Sequence, residues 1–141
     1  YDDKILHRSK VIKYFTENTD KKRTQKDFDK IYKKIKKNRK YFYSAKDLAL
    51  IESFESDGFK IPNDLNIKKL IDEYEVPLNL LQLAKNRESA FLTLKIVEII
   101  GEDEPYQLDP ETIYFITHLL NKINLKKLRN DVLISALPQR S

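Results

Sequence analysis

Apolar residues recur along this chain at helical spacing, in short stretches separated by polar or turn-forming breaks. The spacing predicts about eight helices of roughly 8–15 residues, with no convincing strand. The first runs from Asp3 to Phe15, with Ile5, Leu6, Val11, Ile12 and Phe15 on its apolar side, and Thr16 to Asp20 forms a polar turn. In the second, Phe28, Ile31, Tyr32 and Ile35 make one stripe, with Thr24 as N-cap and Asp27 as the acid of a capping box. Asn38 to Tyr43 is a short aromatic connection. Ser44 starts the third helix with Asp47 at N3, Ala45, Leu48, Ile51 and Phe54 facing inward, and Gly58 stopping it in the left-handed conformation.

Pro62 and Asn63 open a fourth helix reaching about Tyr74, with Leu65, Leu70 and Ile71 on its face. Val76–Pro77 begins a short fifth that Asn86 and Arg87 punctuate. The sixth, Glu88 to Ile100, is expected to bury Phe91, Leu94, Val97 and Ile100 or their neighbours before Gly101 ends it. GEDEPYQ reads as an acidic loop, and Asp109–Pro110–Glu111 is the strongest helix start in the chain. Ile113, Ile116, Leu120 and Ile123 continue that seventh helix. The period breaks near Asn124, and Leu125 to Leu137 forms the last helix before Pro138.

The fold class that follows is all-α, with short helices packed as antiparallel hairpins. Residues 77–100 and 110–137 both read as two helices around an Asn-containing break, which leaves open a short α-solenoid of the tetratricopeptide kind. That repeat's consensus positions are not met: there is no Trp and no Ala/Gly-rich hairpin crossing. At 141 residues, with 44 of them Leu, Ile, Val or Phe, one packed domain over 1–141 is expected. A basic part, 1–60, precedes the hairpins of 61–141. The start at Tyr1 without Met suits a processed product or a piece of a longer chain, and nothing points to a compartment.

Composition excludes several chemistries. Two glycines cannot build a dinucleotide fingerprint or a P-loop, and they argue against sandwiches and barrels rich in tight turns. Without Cys there is no disulfide, thiolate metal site or Cys nucleophile. No apolar run approaches the roughly 18–20 residues of a membrane span. His7 and His118 are the only histidines, with no HExxH and no nucleophile elbow around a Ser. His118, beside Leu119 and Leu120, reads as a packing or edge residue, and His7 as a solvated one. Asp72/Glu73/Glu75 and Glu102/Asp103/Glu104 read as solvated surface rather than a catalytic pair. No catalytic residue, metal ligand or cofactor is expected, and nothing points to a small-molecule ligand.

Charge gives the one positive signal. Residues 21–40 hold eleven Lys or Arg against two Asp, and residues 1–60 carry 17 basic and 10 acidic side chains against 10 and 12 in the remainder. Lys26, Lys30, Lys33, Lys34, Lys36, Lys37, Arg39 and Lys40, with Tyr41 and Tyr43, are the candidate surface for an acidic partner. The expected function is a non-enzymatic helical module for protein–protein interaction or scaffolding. One alternative is nucleic-acid binding through residues 21–43, by phosphate contacts and stacking of Tyr41, Phe42 and Tyr43. A second is a helical accessory region of a larger enzyme.

Overall fold

The computed structural model describes residues 6–17, 19–72, 74–101 and 108–136. Within them, all regular structure is helical: 3-10 turns at Leu6–Arg8 and Lys10–Ile12, then α1 (Lys13–Glu17), α2 (Lys21–Lys36), α3 (Ala45–Ser56), α4 (Ile67–Ile71), α5 (Leu78–Lys85), α6 (Ser89–Ile100), α7 (Pro110–Lys122) and α8 (Lys126–Ala136).

The capping chemistry around α3 explains its bounds. The Ser44 Oγ accepts from the Asp47 N–H, and the Asp47 carboxylate accepts from the Ser44 N–H, both at 3.2 Å. At the other end Gly58, at φ +94°, donates to the Glu55 carbonyl while Phe59 donates to that of Phe54. These are the two bonds of a Schellman motif, and the Phe54 and Phe59 rings, 5.0 Å apart, supply its apolar contact. Between the caps α3 is buried on nearly every side, including Leu48, Ala49, Leu50, Ile51 and Phe54. It is therefore the central element, lying against α7 and α4 and against the N-terminal turns.

Two apolar clusters share the wall made by α7 and α8. One gathers Leu6, Val11, Phe15, Phe28, Ile31, Ile35 and the α3 residues with Tyr114 and Leu133. The other joins Leu80 and Ala84 of α5 and Leu92 and Ile96 of α6 to Ile113, Ile116, Leu119, Leu120, Val132 and Ala136. Burying each of these large side chains stabilises the fold by about 1.5–3 kcal/mol before chain entropy is counted.

Several predicted boundaries move. The first element is not one helix: Ser9, extended at ψ 176° and donating its hydroxyl to the Leu6 carbonyl at 2.7 Å, splits it into 3-10 turns, and α1 then runs on through Thr16 and Glu17. Asp3 and Ile5 lie outside the described residues, as do residues 102–107 and Leu137–Pro138. Thr24 is not the N-cap of α2. The helix begins a turn earlier, and Thr24, buried inside it, donates its hydroxyl back to the Asp20 carbonyl at 3.0 Å. The fourth helix shrinks to Ile67–Ile71, because Asn66 caps it by accepting from the Lys69 N–H at 3.1 Å. Asp109 caps α7 as expected, accepting from the Thr112 N–H at 2.8 Å.

Helix ends beyond α3 repeat the Schellman pattern with other residues. Arg87 and Asn124, both at φ +59°, occupy the left-handed position after α5 and α7, and Glu88 and Leu125 close the longer bonds to Leu83 and Leu120. Gly101 ends α6 differently. Its φ of +61° comes with ψ −136°, outside the left-handed helical well and in a region reserved for glycine.

One buried ion pair ties these pieces together. Arg129 on α8 is 1% exposed and grips the Asp57 carboxylate with both terminal nitrogens, at 2.7 and 2.8 Å. The Tyr14 hydroxyl donates to the same carboxylate at 2.7 Å, the Lys126 Nζ stands 3.5 Å away, and Asn121 accepts from Arg129 at 3.0 Å. Burial alone would raise the Asp57 carboxyl; the bonds from Arg129 and Tyr14 and the charges of Arg129 and Lys126 outweigh it and hold it below the usual range. Burial and the same carboxylate push the Tyr14 phenol up to about 12.

Removing one partner strands the other, so Arg129→Met should cost about 3–5 kcal/mol in urea unfolding. A carboxyl lowered on folding contributes stability above its unfolded value of about 3.9 and loses it as pH falls through the folded value. Unfolding midpoints should therefore drop below about pH 4, with a shallower slope in Asp57→Asn. Arg87→Gly should raise stability by about 0.5–1 kcal/mol, and Gly101→Val should lower it by about 1 kcal/mol or more, both read in the same melts.

Candidate interaction surfaces

Helix α2 is amphipathic in the way its sequence demands. Thr24, Phe28, Ile31 and Ile35 are buried against α3 and the N-terminal turns, and every Lys and Arg from 21 to 40 is exposed. Lys22, Lys26, Lys30, Lys33 and Lys37 follow i,i+3/i+4 spacing and form one ridge opposite the buried stripe, about 22 Å long at 1.5 Å per residue. One flank is already engaged: Gln25 bonds to Lys60 and Asp29, Tyr32 donates to Asp64 at 2.8 Å, and Lys36 pairs with the same Asp64. Lys26, Lys30, Lys33, Lys34, Lys37, Arg39 and Lys40 form no ion pair among the described residues.

The aromatic part of the candidate site is used internally. The Tyr41 hydroxyl accepts from the Leu6 N–H at 3.0 Å and donates to Asp47 at 2.9 Å. Tyr43, half-buried, meets the Tyr41 ring edge-on at 5.0 Å. Burial first, then the Asp47 charge, raises both phenols, that of Tyr43 to about 12. Phe42 alone of the three rings stands out in solvent. His7 is not solvated as its neighbours suggested: its Nδ1 lies 2.6 Å from Asp47 Oδ1, and its N–H donates to the same oxygen. The N3 acid of α3 thus also anchors the N-terminal turn, a pairing 40 residues apart that no local pattern announces.

Helix α6 shows the opposite anomaly. Its inward stripe is Leu92 and Ile96, with Ile99 and Ile100 partly buried, one residue out of phase with the expected set. Phe91, Leu94 and Val97 point outward instead, 53%, 62% and 55% exposed. The cause lies in the sequence: only Lys95 and Glu98 of its twelve residues are charged, so periodicity does not choose between two apolar faces. Those two charges pair at 3.5 Å, and the Lys95 ammonium sits 5.5 Å from the Phe91 ring centroid.

A cleft of about 760 Å³ opens between the end of α3, the 61–71 segment and α7. On its wall the His118 Nδ1 meets Glu52, whose other oxygen accepts from the buried Tyr114 hydroxyl at 3.0 Å. Burial, then the Glu52 charge, pushes that phenol far above its ordinary range. His118 is thus an edge residue with one ring nitrogen engaged. Asp72 and Glu75 are exposed, while Glu73 and Glu102, Asp103 and Glu104 lie outside the described residues.

Among the described residues no group of three or more His, Cys, Asp or Glu could hold a metal ion, and no helix is long and apolar enough to cross a membrane. Comparison with known proteins returns no match, whether to a family model, a curated protein or a solved structure.

The phase of α6 is directly measurable. Leu92→Ala should cost about 2–5 kcal/mol in chemical unfolding, whereas Leu94→Ala, one helical face away, should change it by less than about 0.5 kcal/mol.

Proposed function

We propose that this chain is a non-enzymatic helical protein–protein interaction module, a short stack of helical hairpins that offers the outer face of α6 to a partner. The observation that carries this reading is the stripe Phe91, Leu94, Val97, more than half exposed on a helix with only two charged side chains. Contiguous apolar surface of this kind in a water-exposed position marks contact sites.

The shape and charge of the stripe restrict the partner. An i, i+3, i+6 ridge is convex, about 9 Å long from first to last residue, and suits insertion into an apolar groove rather than capture of an extended peptide. Lys95 and Glu98 neutralise each other beside it, so recognition rests on apolar fit and not on charge. A partner protein that presents a groove is the occupant this favours. The lysine ridge of α2 would then raise the rate of encounter with an acidic partner more than the final affinity. Single-stranded nucleic acid has less support, since two of the three rings that could stack on bases have their edges or hydroxyls committed inside.

A photoreactive side chain at position 94, in the native host, should give one discrete protein adduct, and the same group at position 26 should not. The purified adduct partner should bind the unmodified chain, with Leu94→Glu weakening it by at least about tenfold, or 1.4 kcal/mol. A partner that binds the Leu94→Glu chain equally well, or a chain that self-associates through α6 in sedimentation runs, would overturn this reading.

A further inference from the structure

We infer that the basic face of α2, with Phe42 projecting at its end, is a docking surface for an anionic lipid bilayer. This face is separate from the α6 surface and does not depend on it: α2 packs in the first apolar cluster and α6 in the second.

Charge is laid out here over an area and not along a line. The ridge from Lys22 to Lys37 runs about 22 Å along the outward side of α2. Arg23 and Lys34 flank it, and across a shallow groove the N-terminal segment adds Lys10 and Lys13, both exposed. None of these cations is in an ion pair among the described residues. Against them stand Glu17 and Asp27 at the groove and Asp29, which Gln25 already engages at 3.1 Å. The rest of the chain does not share this sign, since residues 61–141 carry 10 basic and 12 acidic side chains. A body so lopsided in charge is both attracted and oriented by a negative plane.

Phe42 supplies the apolar part. Tyr41 is pinned inward by its bonds to Leu6 and Asp47, and the Tyr43 ring meets it edge-on at 5.0 Å from the same side. Alternation along the backbone then throws the residue between them outward, and Phe42 is 73% exposed. Lys37, the C-cap of α2, and then Arg39 and Lys40 lead directly into it. A ring held out among cations matches the boundary of a bilayer, where anionic headgroups lie above hydrocarbon.

The apolar stripe of α2 takes no part, because Phe28, Ile31 and Ile35 are committed to the core. The helix therefore rests on the headgroups by charge, and Phe42 is the one insertion. Such contact is reversible and weakens as salt rises. A nucleic-acid duplex would meet the same lysines but gives a projecting phenyl ring nothing apolar to enter. A single strand would find one ring to stack on where successive bases need a series.

Flotation with phosphatidylcholine vesicles, with or without about 30% phosphatidylserine, tests the surface at about 50 and about 150 mM salt. The chain should float with the anionic vesicles, less so at the higher salt, and should not float with phosphatidylcholine alone. Lys26→Gln/Lys33→Gln/Lys37→Gln should weaken partition at least about tenfold. The charge-matched Lys85→Gln/Lys122→Gln/Lys127→Gln, on α5, α7 and its end at α8, should weaken it less than about threefold. Phe42→Ala should weaken it about threefold or more. The chain has no Trp of its own, so the indole placed by Phe42→Trp reports insertion. Its emission should move to the blue on anionic vesicles and be quenched by bromine-labelled acyl chains. All these side chains lie at the surface, so unchanged circular dichroism melts will separate lost binding from lost fold. No flotation at the lower salt, equal loss in the two triple variants, or an indole emission that does not move overturns the proposal. Tighter binding to a DNA duplex or single strand than to the vesicles would assign the face to nucleic acid instead. Loss of flotation in Leu94→Ala would place α6 at the bilayer and overturn it too; otherwise the α6 reading stands or falls on its own partner.

Discussion

A carboxylate and a guanidinium separated by 72 positions in the chain meet at the C-terminal cap of α3, and the arrangement of the other helices follows from that meeting. Taking both charges out of water is expensive, by several kcal/mol per ion even after relaxation. The geometry answers that cost with two parallel bonds to Asp57, a third from Tyr14, and acceptors from Asn121 and Asn130 for the remaining N–H groups of Arg129. The Arg129 guanidinium also lies 5.5 Å from the Phe15 ring centroid. Side chains from α1 and α8 thus converge on the residue that ends α3, and Asn121 of α7 supports the guanidinium. Apolar burial supplies most of the stability; the ion pair adds directional bonds that tie α1 and α8 to the end of α3.

The N-terminal end of α3 follows the same logic with softer chemistry. Asp47 caps its own helix, accepts from the Tyr41 hydroxyl and holds both the backbone and the ring of His7. A helix that is apolar on most faces would have little to define its rotation among its neighbours. Two acids at its ends, each bonded to groups from distant segments, remove that freedom. They also explain why tyrosines beside a basic tract face inward.

Local signals were readable where chemistry and position coincide within a few residues. Ser44, Asp47, Gly58, Asp109 and Pro110 mark helix ends by capping, and the alternation of Phe28, Ile31 and Ile35 with lysines sets the orientation of α2. The failures have physical causes. Thr24 can serve as a cap or bond back to a carbonyl one turn earlier, and the sequence does not distinguish these uses. Asn66 competes with Pro62 and Asn63 as a start, and its side chain prevails. In α6, Phe91 and Leu92 carry equal apolar weight, so only the neighbours α5 and α7 decide which turns in. The cationic surface was visible as a run, but Lys10 and Lys13 join it only because Ser9 breaks the first helix and the fold lays that segment along α2.

The distance in sequence between Asp57 and Arg129 bears on how the protein is made. A ribosome that has released α3 has not yet delivered α8, so for that interval the carboxylate has Tyr14 but no guanidinium. Charged and only partly matched, it resists withdrawal from water and keeps the hub of the molecule loosely held. The bidentate bond can close only once α8 has been made, so this tie between early and late helices waits for that segment.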